Sequence, residues 1–203
     1  MPKGLRFQFP VHEILASSGS RWKPETGNRK PETGNVVLGG ALTQKREDIM
    51  IRTTEEPVTR MAKLLALLHY SMSKEIMAAL GEERGKQVIL EAIKRFAEAR
   101  LKSMAEEARE RGLDPKSFDT YQKVRDMPGT GWERDPNNPR KVTFCPMDSV
   151  WAEYGEEGRK LGYLYCSIDH VLYDGFNADL ERPSCRALGD DCCDFHPKER
   201  KAR

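Results

Sequence analysis

The chain has 203 residues and a formal net charge of +2, from 34 basic and 32 acidic residues. That near balance argues against nucleic acid as the main partner, because a phosphate-binding surface shows as a basic excess. The length suffices for one domain with a true core plus an arm.

Residues 1–54 are expected to form an extended or flexible N-terminal arm, with an α+β domain over 55–203. The arm carries a tandem repeat, "KPETGN" at Lys23–Asn28 and again at Lys30–Asn35. Two copies are too few for a solenoid, and the Pro, Gly, Asn and Thr in them favour turns over a core. The start "MPKGLRFQFPVHEIL" lacks the apolar core and cleavage site of a signal peptide. No apolar run approaches the ~20 residues of a membrane span. The expected location is therefore the cytoplasm, where thiols stay reduced. Five cysteines, an odd number, then read as free, catalytic or metal-bound rather than as a disulfide framework.

From Glu55 the pattern becomes helical. Met61, Leu64, Leu65, Leu68, Met72, Ile76 and Leu80 recur at helical spacing and predict a buried stripe. Thr54 is expected to cap this helix, Pro57 to sit in its first turn and Gly81 to stop it. His69 reads as a packed or surface histidine rather than a ligand. A second helix is predicted over about Glu82–Arg111, burying Val88, Ile89, Ile93, Phe96 and Met104 and ending at Gly112. Asp114 and Pro115 predict a short third helix. "PGTGWERDPNNP" reads as a loop and Arg140–Pro146 as a strand.

Two further helical stretches follow, "DSVWAEYGEE" and "GRKLGYLYCSIDHVLYDGF". On the second, Cys166, Asp169, His170 and Tyr173 stand at i, i+3, i+4 and i+7, which places them on one face of a continuous helix. The imidazole could take the thiol proton, and the carboxylate could orient the imidazole or a water. Gly175 is expected to end the helix in a left-handed conformation. Asn177 follows in a loop where its amide could meet a ligand.

The chain is expected to finish as a hairpin of strands at about Leu180–Leu188 and Cys192–Pro197, joined by a Gly-Asp-Asp turn. Strand alternation sends Cys193 and Phe195 to one face and Cys192, Asp194 and His196 to the other. Cys193 should point inward and Cys192 outward, without a disulfide between them. Ligation of a metal by Cys145, Cys166, Cys185 and Cys192 or Cys193 has no support from spacing, since no C-x-x-C pair is present. No metal site and no cofactor is expected. The element order predicts helices packed on a small antiparallel sheet.

"FCPMDSVWAEYGEEGRKLGYLYCSIDHVLYDGFNADLE…LGDDCCDF" resembles the C-terminal signature of the L-2-amino-thiazoline-4-carboxylic acid hydrolase family. The matching pieces are Cys145-Pro146, Trp151, Gly158, Leu161-Gly162, Tyr165-Cys166, Asp169-His170, Gly175-Phe176-Asn177, Gly189-Asp190 and Cys193-Asp194-Phe195. Ala79–Ile93 is similar to the helix that precedes them. Cys185 and Cys192 look like additions peculiar to this chain.

The resemblance implies a hydrolase that opens a small cyclic amidine, with water adding to the ring carbon between nitrogen and sulfur. It points to Cys166, Asp169 and His170 as catalytic residues and to Asn177 and Cys193 as substrate-binding ones, which Tyr173 joins by its place on the same helix face. In one scheme Cys166 is the nucleophile; in another Asp169 activates water and the cysteines only shape the pocket. The last motif also resembles the end of 4-vinyl-reductase-type ligand-binding domains. That keeps open a non-catalytic small-molecule sensor, beside a metal or redox protein using the cysteines. The expected partner is a small-molecule substrate, not nucleic acid or membrane, and homo-oligomers are left open.

Overall fold

A computed structural model describes residues 51–200. The repeat, and all but the last four residues of the expected arm, lie outside the described residues. The architecture is α+β, as the element order implied. Helix α1 spans Pro57–Leu80, α2 Glu82–Glu110 and α3 Phe118–Val124. Strands β1 (Glu133–Asp135) and β2 (Asn138–Phe144) follow, then helices α4 (Pro146–Glu153), α5 (Gly155–Tyr165) and α6 (Ile168–Gly175). The chain ends with β3 (Ala178–Glu181), one 3₁₀ turn (Arg186–Leu188), β4 (Cys193–Asp194) and β5 (His196–Glu199). Among the described residues no helix is long and apolar enough to cross a membrane.

The cap of helix α1 is Glu56, two residues after the expected Thr54. The Glu56 carboxylate accepts from the backbone N–H of Val58 at 3.0 Å and of Thr59 at 2.7 Å. Pro57 follows at the first helical position, where its missing N–H is harmless. Gly81 alone joins α1 to α2. The end of α2 is closed by Gly112, at φ 66°, with Leu113 N–H donating to Ala108 O and Gly112 N–H to Arg109 O. These are the two hydrogen bonds of a Schellman motif. Asp114 caps no helix; it accepts from Lys116 N–H, and α3 starts after Ser117.

The buried face of α1 is not the stripe of large apolar residues. Ala62, Ala66, His69, Tyr70 and Ser73 face inward, while Met61, Leu64, Leu68 and Met72 are exposed, Leu68 by 56%. The cause is close packing. Trp151 of α4 is 1% exposed and its indole N–H donates to Ala66 O at 3.0 Å. Only small side chains let α1 approach that indole. Gly162 of α5 also packs on the ring, where a Cβ would stand 2.3 Å from the indole carbons. His69 is packed, as foreseen, with Nε2 donating to Leu161 O at 2.9 Å. In α2, Ile89, Ile93 and Met104 are buried as expected, whereas Phe96 is exposed.

The expected terminal hairpin does not form. β4 pairs with β2, in the order β1-β2-β4, and β5 pairs with β3 in a separate two-stranded sheet; both are antiparallel. The registers are Val142 opposite Cys193 and Glu181 opposite His196. The segment between β3 and β4 is a loop closed on itself, because Asp190 Oδ2 accepts from Cys185 N–H at 2.7 Å. Arg186 then ties this loop to Asp148, Thr143 O and Asp191 O. β1 was not foreseen, since its sequence Glu-Arg-Asp is wholly charged; it is an edge strand, where charge is tolerated.

Candidate active site

The sequence "GRKLGYLYCSIDHVLYDGF" forms two helices, not one. Ser167 Oγ donates to Leu164 O at 2.7 Å, and Ser167 N–H bonds to the same carbonyl, three residues back. A serine side chain that competes for backbone in this way disturbs the helical ladder. The Cys166 carbonyl, which a continuous helix would offer to His170 N–H, instead accepts from Asp169 N–H, three residues on, at 3.4 Å and from Arg182 Nη1 at 3.2 Å. Cys166 thus caps the end of α5, one residue past Tyr165, and Asp169 and His170 lie in the first turn of α6.

This break decides what the site contains. A cavity of about 500 Å³ opens between α3, the β1–β2 hairpin, α5, α6 and the final strand segment. Cys166, Asp169, Tyr173 and Cys193 line it, as does Phe195. Cys193 points inward and is 8% exposed, and Cys192 is less buried, as strand alternation required. His170 is exposed and does not line the cavity; its ring hydrogen-bonds with the Leu180 backbone. Asn177 is also off the cavity. Its Nδ2 donates to Arg200 O at 2.9 Å, and Arg200 N–H donates to Asn177 O. Asn177, at φ 60°, is the left-handed residue that had been expected at Gly175. Gly175 is helical and small for another reason: a Cβ there would stand 2.4 Å from Leu101.

Among the described residues Asp169 is the one carboxylate on the cavity wall. Arg182 Nη1 donates to its Oδ2 at 2.8 Å. The Arg182 side chain is only 4% exposed and lies near the rings of Tyr163 and Phe195. Burial raises the Asp169 pKa to about 6 in spite of the opposing Arg182 charge. Tyr165 contributes a hydroxyl that is buried and without a hydrogen-bond partner among the described residues. Burial pushes its pKa up to about 12, so it stays a donor. A buried hydroxyl in a cavity wall is a donor suited to a ligand oxygen or nitrogen.

The thiols form a chain. Cys185 is buried between Cys166, with which it shares a hydrogen bond, and Cys193, whose sulfur is 4.0 Å away. Cys166 and Cys193 are held above the ordinary thiol range, first by hydrogen bonding to Cys185 and then by burial. Cys185, which accepts from both and feels Arg182, is shifted down. The cavity-facing sulfurs are therefore thiols, and the most acidic one lies behind them. Among the described residues no group of three or more His, Cys, Asp or Glu is arranged to hold a metal ion.

The order of these pieces decides the family. The sequence model of the L-2-amino-thiazoline-4-carboxylic acid hydrolase family matches residues 59–196. The chain belongs to this family. The match runs from the first turn of α1 to the final strand and so takes in every cavity wall described above. The family's name points to a hydrolase. No curated protein and no solved structure matches the chain.

Three participants escaped the sequence reading. Arg182 stands in "LERPSC", with no periodicity to mark it. Tyr165 stood as part of a family motif, with no role given to its hydroxyl. Cys185 looked like an addition peculiar to this chain, and it lies 19 residues from Cys166 in the sequence. Only the loop that returns to α5 brings them together.

Proposed function

We propose that the cavity hydrolyses a small cyclic amidine of the 2-aminothiazoline-4-carboxylate type, with Asp169 as general base. The observation that carries this reading is a half-buried carboxylate on the cavity wall, fixed by Arg182, whose pKa of about 6 keeps it ionised yet basic near neutrality. Asp169 takes a proton from water, and the oxygen adds to the amidine carbon. The tetrahedral intermediate collapses by breaking one ring bond to that carbon, C–N or C–S. The departing atom takes the proton back from Asp169, which regenerates the base. Tyr165 O–H is placed on the same wall to hydrogen-bond the substrate.

Direct attack by Cys166 is less favoured, because its raised pKa leaves little thiolate. His170 has no part in the chemistry, since it lies outside the cavity.

Turnover of 2-aminothiazoline-4-carboxylate to a carbamoyl-cysteine tests the proposal. Asp169→Asn should lower kcat by about 10²–10⁴-fold, and Cys166→Ser should stay within about tenfold of the native rate. The reverse ranking would establish the thiol as nucleophile and overturn the assignment. No turnover by the native chain would reject the substrate.

A further inference from the structure

The cavity is far larger than the ring it is proposed to open. A 2-aminothiazoline carboxylate has about nine non-hydrogen atoms and fills on the order of 150 Å³ at close packing, against about 500 Å³ available. The surplus has a definite chemistry. Arg100, Arg125, Arg134, Arg140 and Arg182 all line the cavity, against the single carboxylate of Asp169.

Two of the five are committed. Arg182 holds Asp169, and Arg100 forms two hydrogen bonds to Asp126, at 2.8 and 2.6 Å. Arg134 uses one nitrogen on Pro139 O. The guanidinium groups of Arg125 and Arg140 have no hydrogen-bond or ion-pair partner among the described residues. Arg125, Arg134 and Arg140 are exposed, so they form the rim, whereas Tyr165, Asp169 and Arg182 lie at the floor. The chain as a whole carries only +2, so this rim is not a general basic background. Like charges gathered at one opening repel one another, and a bound anion relieves that repulsion. Trp132, Tyr173 and Phe195 add aromatic wall to the same cavity.

We propose that the Arg125–Arg134–Arg140 rim binds an oxyanion at the far end of a substrate longer than one ring. Its flat, apolar middle lies along Trp132, Tyr173 and Phe195, and its reacting end reaches Asp169. The class is an anionic amide- or amidine-type conjugate, ending in a carboxylate or a phosphate. The rim site rests on the hydrolase reading only for the identity of the reacting end.

Binding tests it without turnover. Anilinonaphthalene sulfonate has a flat apolar body and one oxyanion; N-phenylnaphthylamine has the same body and no charge. The double variant Arg125→Gln/Arg140→Gln should weaken the sulfonate about tenfold, and leave the neutral dye within about twofold. Native affinity for the sulfonate alone should fall with added salt. Equal losses for both dyes, or no loss for either, would overturn the rim site. Naphthoate displacing the dye below the concentration needed for naphthyl phosphate identifies a carboxylate, and the converse a phosphate. Displacement by neither speaks against an anion site. None of these measurements reads turnover, so none depends on Asp169 acting as a base. A failed rim and a failed hydrolase reading therefore give different results.

Discussion

Asp169 and Arg182 form a partly opposed pair. Burial drives the carboxylate towards its neutral form, and the guanidinium at 2.8 Å holds it back at about 6. A base must be ionised to act, so kcat/KM should fall about tenfold for each pH unit below about 6. Removing the cation removes the restraint. Arg182→Met should therefore move the acid limb of the pH profile to higher pH, by about one unit. A limb that stays in place, or moves down, would show that another group controls it. At this scale the sequence was half legible. Cys166, Asp169, Tyr173 and Cys193 could be named because short-range spacing and strand alternation brought them into view. His170 and Asn177 could be named by the same logic, yet one faces solvent and the other pins Arg200. Spacing ranks neighbours on an ideal helix; it does not know that Arg182 will take the Cys166 carbonyl and turn the next helix.

Helices α1 and α2 end where glycine was expected to end them, because Gly81 and Gly112 adopt positive φ, which other residues resist. Which face of α1 turns inward was not readable from the same stretch. Large apolar residues define a clear stripe, but the close contact with Trp151 selects Ala62 and Ala66. Two substitutions on α1 separate these readings. Leu68→Gln should change unfolding free energy by no more than about 0.5 kcal/mol. Ala66→Leu, at a position with no exposure, should cost about 1–3 kcal/mol by overpacking. Chemical denaturation of both variants measures this, and the opposite ranking would restore the large-residue stripe as the core.

Across the molecule, the loop between β3 and β4 is the part that completes the site, and a buried acid anchors it. Asp148 on α4 is 2% exposed and bonds Arg159 of α5 at 3.2 Å and Arg186 of the 3₁₀ turn at 3.1 Å. Asp148→Asn should lower stability by about 1.5–3 kcal/mol, the range for hydrogen bonds to charged groups. Because Cys185 is adjacent to Arg186, the same variant should make the thiols react faster with an alkylating probe. Destabilisation with no change in thiol reactivity would show that the loop is held by other contacts. The amino-acid sequence by itself determined the α+β class, the extents of the long helices and the inward turn of Cys193, because each depends on residues within a few positions of one another. Tertiary structure alone decided the break after Cys166, the division of the terminal strands between two sheets, and the meeting of Asp169, Arg182, Tyr165 and Cys185. Those outcomes depend on which distant donor reaches a carbonyl first and on how closely a backbone can approach an indole, and neither is encoded in local periodicity.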